Sequence, residues 1–140
     1  MGGEFELLEH PSDIGVLARG DSREHALIEA SKGVTSIMVD PSGIRGNEER
    51  ALLVEGADEA SQVVNWLNEI LFLFDAEGLV FEDFAVDSWS TDGIRGRARG
   101  EHLDPLRHEI RTAVKAATYH QFEMRTPEPG VWEIRVFMDV

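Results

Sequence analysis

Cysteine is absent from this chain of 140 residues. The protein therefore has no disulfides, no thiolate metal ligands and no cysteine nucleophile. This composition suits a reducing compartment, and we expect the protein to be cytoplasmic. The sequence also lacks an apolar run of about 18 residues, which predicts no transmembrane helix. Its acidic start lacks the basic residues and the apolar stretch of a signal peptide.

Positive charge is scarce in this sequence. The chain has 13 Lys and Arg residues against 27 Asp and Glu residues, which gives a net charge of −14. A protein this acidic is repelled by the phosphate backbone, so the charge argues against autonomous nucleic-acid binding. It suits a basic protein surface or a hard cation as a partner, although acidity also keeps a protein soluble without any such role.

The length and the 42% hydrophobic content predict one domain over residues 1–140 with a substantial core. The hydrophobic pattern predicts an α+β fold, in which two helices pack on a largely antiparallel β-sheet. The predicted strands are residues 4–9, 14–20, 50–55, 79–90, 94–103 and 131–140. The pattern of residues 112–125 fits both a helix and a strand, and we favour strand for most of it.

Two segments have the apolar spacing of helices. The first follows Asp21, which with Glu24 resembles a capping box, and it ends at residues 40–41. The second begins after Asp58 and ends near Gly78. A wide apolar stripe of the second helix faces the core, and its predicted polar side holds Gln62, Asn65, Asn68 and Glu69.

Turn residues separate the later strands. Asp92 and Gly93 between two strand-like runs are a strong signal for a β-hairpin. Two further turns are predicted over residues 104–108 and 126–130.

Three carboxylates are candidate ligands for a metal ion. Asp13 lies between the first two predicted strands, and Asp139 is followed by the α-carboxylate of Val140. If the turn with Asp13 lies at the same end of the sheet, these groups converge and repel one another unless a proton or a cation intervenes. An all-oxygen set suits a hard divalent cation such as Ca²⁺ or Mg²⁺. The alternative is a turn residue and a frayed terminus.

The other candidate site residues are basic. Strand alternation places Arg95, Arg97 and Arg99 on one face, where they are candidate contacts for RNA, a nucleotide phosphate or an acidic patch. The alternative is a solvated face that neighbouring acids neutralise. Lys115 is a functional cation or extends its ammonium into water. His10 is a metal ligand, a general base or a hydrogen-bonded loop residue, and the histidines lack zinc-site spacing.

No catalytic motif is recognisable in the sequence. It contains no serine elbow, no phosphate-binding glycine loop and no cysteine, so nothing assembles a nucleophile with its base. We therefore expect that the protein is not an enzyme. A metal-dependent hydrolase is the alternative, and the missing pair of base and nucleophile argues against it.

Several stretches resemble the archease family, and they follow one another from about Phe5 to Val140. They read LEHPSDIG, NWLNEILFLFDAEGLVF, RARGE, VKAATYH and the closing DV. The resemblance implies a non-enzymatic cofactor that activates an RtcB-type RNA ligase in tRNA splicing and RNA repair. Such a cofactor promotes guanylylation and multiple turnover of the ligase, and it reaches RNA only through the ligase. An alternative is a chaperone-like modulator of a tRNA or RNA methyltransferase.

The resemblance also implies a set of site residues. It implies that a divalent metal binds through Asp13, Asp139 and Val140, with Ca²⁺ as the first expectation and Mg²⁺ or Mn²⁺ as alternatives. The candidate contacts with the partner protein come from the residues themselves and not from the resemblance; they are His10, Arg95, Arg97, Arg99 and Lys115. The sequence leaves open the oligomeric state and the face that meets the partner.

Overall fold

A computed structural model of the protein describes residues 2–9 and 12–140. These residues contain seven β-strands and two α-helices. In chain order these are β1 (Gly3–Glu9), β2 (Asp13–Gly20), α1 (Arg23–Met38), β3 (Glu48–Val54), α2 (Glu59–Glu77), β4 (Leu79–Ser90), β5 (Gly93–His102), β6 (Ala116–Glu128) and β7 (Val131–Asp139). A 3₁₀ turn, Pro41–Gly43, follows α1.

The strands form two antiparallel sheets. The four-stranded sheet has the order β1-β2-β7-β6, and the three-stranded sheet has the order β3-β5-β4. Both helices contact both sheets: α1 contacts β2 and β4, and α2 contacts β6 and β3. The predicted α+β fold with two helices is confirmed. Its division into two sheets is not visible in the sequence, because alternation marks a strand but does not name its partner.

Trp66 of α2 lies at the centre of the core. Its side chain is fully buried, and its ring N–H donates to the hydroxyl of Ser31 on α1 at 2.9 Å. On the other side it meets Gly96 of β5, where an added Cβ would lie 2.6 Å from the ring. A glycine on the inner face of β5 therefore makes room for the largest side chain of the core.

The predicted start of α1 is wrong by one residue. Ser22 is the N-cap, and its hydroxyl accepts from the main-chain N–H of His25 at 3.1 Å. Asp21 contacts the ring of His25 instead. Two polar residues in sequence compete for the cap, and the backbone decides between them because the N-cap residue must be extended.

The predicted ends of α2 are confirmed. Asp58 caps the first turn and Ser61 completes a capping box, while Gly78 ends the helix in the left-handed region with φ 68°. Within residues 2–9 and 12–140, neither helix combines the length and the apolar character that crossing a bilayer requires.

Gln62 does not lie on a polar face of α2 as predicted. The side chain is buried, its oxygen accepts from the ring N–H of Trp89 at 2.8 Å, and its amide donates to the carbonyl of Ser90 at 3.0 Å. Gln62 therefore connects α2 to the end of β4. The hydrophobic periodicity of the sequence does not reveal a polar side chain that bonds a distant strand. Asn68 of the same side bonds both main-chain groups of Ala117 on the edge strand β6.

The hairpin predicted at Asp92 and Gly93 is confirmed, since Ser90 pairs with Gly93 across it. The turn predicted over residues 126–130 is shorter than expected. Strand β6 continues to Glu128, which lies opposite Val131, and the turn consists of two residues. Gly130 adopts φ 79° there, which lets the chain reverse within so short a connection.

Two adjacent leucines of β3 lie on opposite faces of the strand, which allows a test of which face packs in the core. Leu52 is fully buried, whereas Leu53 is 63% exposed. We expect Leu52→Ala to lower the free energy of unfolding by about 2–5 kcal/mol, because it leaves a cavity in the core. The control Leu53→Ala should change it by about 0.5 kcal/mol or less. Urea denaturation measures both, and equal effects of the two substitutions would contradict the assignment.

Candidate functional site

The register of β2 against β7 places Asp13 directly opposite Asp139. Directly opposite residues of an antiparallel pair point to the same face with Cβ atoms about 4.5–5.5 Å apart, where like charges are destabilising. Among the described residues, neither carboxylate forms an ion pair with a Lys, Arg or His side chain. Within residues 2–9 and 12–140 the pair is therefore not neutralised by an ion pair, and we call it the acidic tip.

The opposite side of Asp139 is occupied by the start of β6. The main-chain N–H of Lys115 donates to the carbonyl oxygen of Asp139 at 2.8 Å, and Ala116 pairs with Asp139. Lys115 is exposed, and Val140 packs partly against the core. The fold thus brings Asp13, Asp139, Val140 and the main chain of Lys115 to one end of the four-stranded sheet.

A buried aromatic ring lies on the same face of the sheet as the acidic tip. Phe137 shares its face with Asp139 because side chains two residues apart in a strand point the same way. It lies opposite Gly15, where an added Cβ would be 2.8 Å from the ring. The ring of His120 packs edge-on against it, with 5.9 Å between centroids. Gly15 therefore leaves the space in which Phe137 covers the sheet next to the two carboxylates.

The donor chemistry of the acidic tip fits a hard cation. Carboxylate oxygens are the preferred ligands of Ca²⁺ and Mg²⁺, and a repelling pair gains from any cation between its members. The described residues contain no group of three or more His, Asp or Glu side chains with metal-holding geometry. Two side chains are fewer than the six to eight oxygens of a Ca²⁺ shell, so main-chain oxygens and water must complete it. His10 lies outside the described residues.

The three arginines of β5 lie on the other sheet, away from the acidic tip. Arg95, Arg97 and Arg99 are exposed on one face, as alternation predicts. Arg97 donates twice to Asp87 at 3.1 and 3.2 Å, and Arg99 lies 3.7 Å from Glu49. Arg95 forms no ion pair within the described part of the chain. Two of the three guanidiniums are thus neutralised by neighbouring strands.

Residues 103–115, which we call the connecting segment, join β5 to β6 at the same end of the molecule as the acidic tip. The main-chain N–H groups of Arg111 and Thr112 donate to carbonyls in the last turn of α1 at 2.7 and 3.0 Å. Lys115 then reaches Asp139. The segment therefore crosses from the three-stranded sheet, along the end of α1, to the acidic tip.

A buried charged cluster fixes the start of the connecting segment. Glu101 is 7% exposed and accepts from the guanidinium of Arg107, from the main-chain N–H of Arg45 at 2.6 Å and from the Nε2 of His108 at 3.0 Å. The Nδ1 of His108 accepts from the main-chain N–H of Asp104 at 2.8 Å. This pair of bonds assigns the proton to Nε2 and makes the ring neutral.

These hydrogen bonds keep Glu101 ionised. Burial alone would raise the pKa of this carboxyl, but the bonds from Arg107, Arg45 and His108 outweigh burial and lower the pKa to about 2. Strand alternation assigns Glu101 to the outer face of β5, and its partners come from the connecting segment and from Arg45. Because these partners lie in other parts of the chain, the sequence does not reveal the cluster.

Comparisons with known proteins are consistent along the whole chain. Residues 5–140 match the family described as the Archease protein family (MTH1598/TM1083). The protein archease of Pyrococcus furiosus is 36% identical over 98% of this chain and 99% of its own length. That of Methanosarcina mazei is 33% identical over 100% of this chain and 98% of its own. The solution structure of Methanobacterium thermoautotrophicum protein 1598 superposes with a TM-score of 0.82, at 33% identity over 97% of this chain and 98% of that one.

The pKa of Glu101 makes a prediction about acid stability. A carboxyl with a lowered pKa in the folded state stabilises the protein above its unfolded value of 4.5, and this contribution is lost as the pH falls towards 2. We expect Glu101→Gln to be less stable than the wild type at pH 7, by a margin that shrinks between about pH 4.5 and pH 2.

Urea unfolding at a series of pH values measures this margin. Glu128→Gln, at an exposed position, controls for the loss of one charge. A margin for Glu101→Gln that stays constant down to pH 2 would show that the buried cluster does not stabilise the ionised carboxylate.

Proposed function

The chain belongs to the archease family, and from this premise we propose that it is a non-enzymatic activator of an RtcB-type RNA ligase. It promotes guanylylation of the ligase and its multiple turnover, in tRNA splicing and RNA repair, and it acts in the cytoplasm. It reaches RNA only through the ligase. The net charge of −14 supports a contact with the ligase and none with RNA, because a strongly acidic surface repels RNA and attracts a basic protein surface.

The acidic tip carries this proposal. Asp13 and Asp139 hold a divalent cation between β2 and β7, and Val140 adds main-chain oxygen. Ca²⁺ is the first candidate, with Mg²⁺ and Mn²⁺ as alternatives. The supporting observation is the register that sets the two carboxylates opposite each other without an ion pair in the described residues. When bound, the cation supplies positive charge at a tip that otherwise repels phosphate.

Two basic side chains are proposed as contacts with the ligase. Lys115 is exposed, and its own main chain bonds Asp139, so it lies in the segment next to the acidic tip. Arg95 is the member of the arginine face without an acidic partner in the described residues. Arg97 and Arg99 must exchange their present ion pairs for any new contact, which makes them weaker candidates. His10, which lies outside the described residues, stays a candidate from the sequence alone.

The direct test is guanylylation of the cognate ligase with GTP and limiting divalent metal. The reactions contain no addition, the wild-type protein, Asp13→Ala, or the control Asp75→Ala. Asp75 is an exposed carboxylate on α2, so the control makes the same change in net charge on a side chain that is not part of the acidic tip. We expect the wild type and Asp75→Ala to stimulate guanylylation and Asp13→Ala to lose most of the stimulation.

Two outcomes would contradict the proposal. Equal stimulation by the wild type and by Asp13→Ala would remove the acidic tip from the activation. No stimulation by folded wild-type protein would reject the ligase as the client, and the methyltransferase would then be the next client to assay.

A further inference from the structure

Leu106 in the connecting segment is 98% exposed, more than any other large apolar side chain that is exposed in the described part of the chain. A single exposed leucine is ordinary on a protein surface and needs no explanation. What distinguishes Leu106 is the way in which the surrounding turn is held.

The main chain on both sides of Leu106 is fixed by hydrogen bonds to Asp104. The carboxylate of Asp104 accepts from the N–H of Leu106 at 3.0 Å. Its carbonyl oxygen accepts from the N–H of Arg107 at 3.0 Å and from that of His108 at 2.7 Å. Pro105 is the remaining residue of the turn, and its ring fixes its own backbone φ angle. The turn is thus rigid without any contribution from the leucine side chain.

The polar neighbours of Leu106 are bound to other parts of the protein. Arg107 contacts Glu101 and donates to the carbonyl of Gly43 at 2.7 Å. His108 is buried against Glu101, and the N–H of Asp104 bonds its ring. The buried cluster around Glu101 therefore holds in place a turn whose tip is an apolar side chain in water.

This arrangement suits binding better than stability. Leu106 adds no burial to the core, while its turn uses a buried carboxylate, a buried histidine and an arginine. A rigid anchor loses little conformational freedom on association, which is what makes preorganised apolar side chains effective at interfaces. Ile110 of the same segment is half exposed.

We propose that Leu106 is the apolar anchor by which the protein docks on the ligase, inserted into an apolar pocket beside the surface that meets the acidic tip. This inference rests on the proposed function. The connecting segment begins at the cluster around Glu101, bonds the last turn of α1 and ends at Lys115, which bonds Asp139, so one continuous segment links the anchor to the acidic tip. The net charge of −14 predicts a basic rim around the pocket.

The test compares Leu106→Ala and Leu106→Met with the control Leu53→Ala, which truncates another exposed leucine on the three-stranded sheet. The readouts are the dissociation constant for the ligase and the concentration of protein that gives half-maximal stimulation of guanylylation. We expect Leu106→Ala to raise both about tenfold or more, as for a central interface residue. Leu106→Met and Leu53→Ala should stay within about twofold of the wild type.

Four outcomes would overturn the inference. Leu106→Ala could bind and stimulate like an active wild type, which rejects the anchor but leaves the proposed function intact. Leu53→Ala could weaken binding equally, which removes the specificity for this turn. Sedimentation of the protein alone could show a dimer that Leu106→Ala dissociates, which assigns the leucine to a second copy of the chain. A wild type that neither binds nor stimulates the ligase rejects the proposed function, and the inference with it.

Discussion

The pairing of β2 with β7 is the interaction on which the candidate site depends. Val16 and Val136 face each other in the core and are fully buried, and each contributes about 1.5–3 kcal/mol through burial. A slip of one residue would expose them, so the register is strongly specified. The same register forces Asp13 against Asp139, and cross-strand pairs are worth only about 0.2–1 kcal/mol. Core packing therefore imposes an unfavourable pair of charges on the end of the sheet, where a cation can relieve it.

The connecting segment extends that end of the molecule. It is held at one side by the buried carboxylate of Glu101 and at the other by the bond from Lys115 to Asp139. Glu101 is ionised and satisfied by three donors, whereas the carboxylates of the acidic tip have no ion pair among the described residues. The first arrangement fixes structure, and the second leaves charge available for a ligand. A rigid turn with Leu106 at its tip lies between the two.

Local signals predicted the elements, and long-range pairing decided the site. The cap at Asp58 and the left-handed end at Gly78 depend on residues a few positions apart, so the sequence suffices for both. The burial of Gln62 and Glu101 could not be predicted from the sequence, because their hydrogen-bond partners come from other elements. The acidic tip is an intermediate case: both carboxylates are visible in the sequence, but only the pairing of the second strand with the last brings them together. The resemblance to a family named the residues, and the register supplies the physical reason for their placement.

The proposed cation site at the acidic tip depends on the pairing of β2 with β7. The most direct measurement is a crystal structure of the protein grown with Ca²⁺, in which the anomalous signal locates the ion. The account predicts one ion with an oxygen of Asp13 and an oxygen of Asp139 each within about 2.3–2.6 Å, and no ion there in Asp139→Asn. An empty tip at saturating Ca²⁺, or an ion held by other residues, would contradict it.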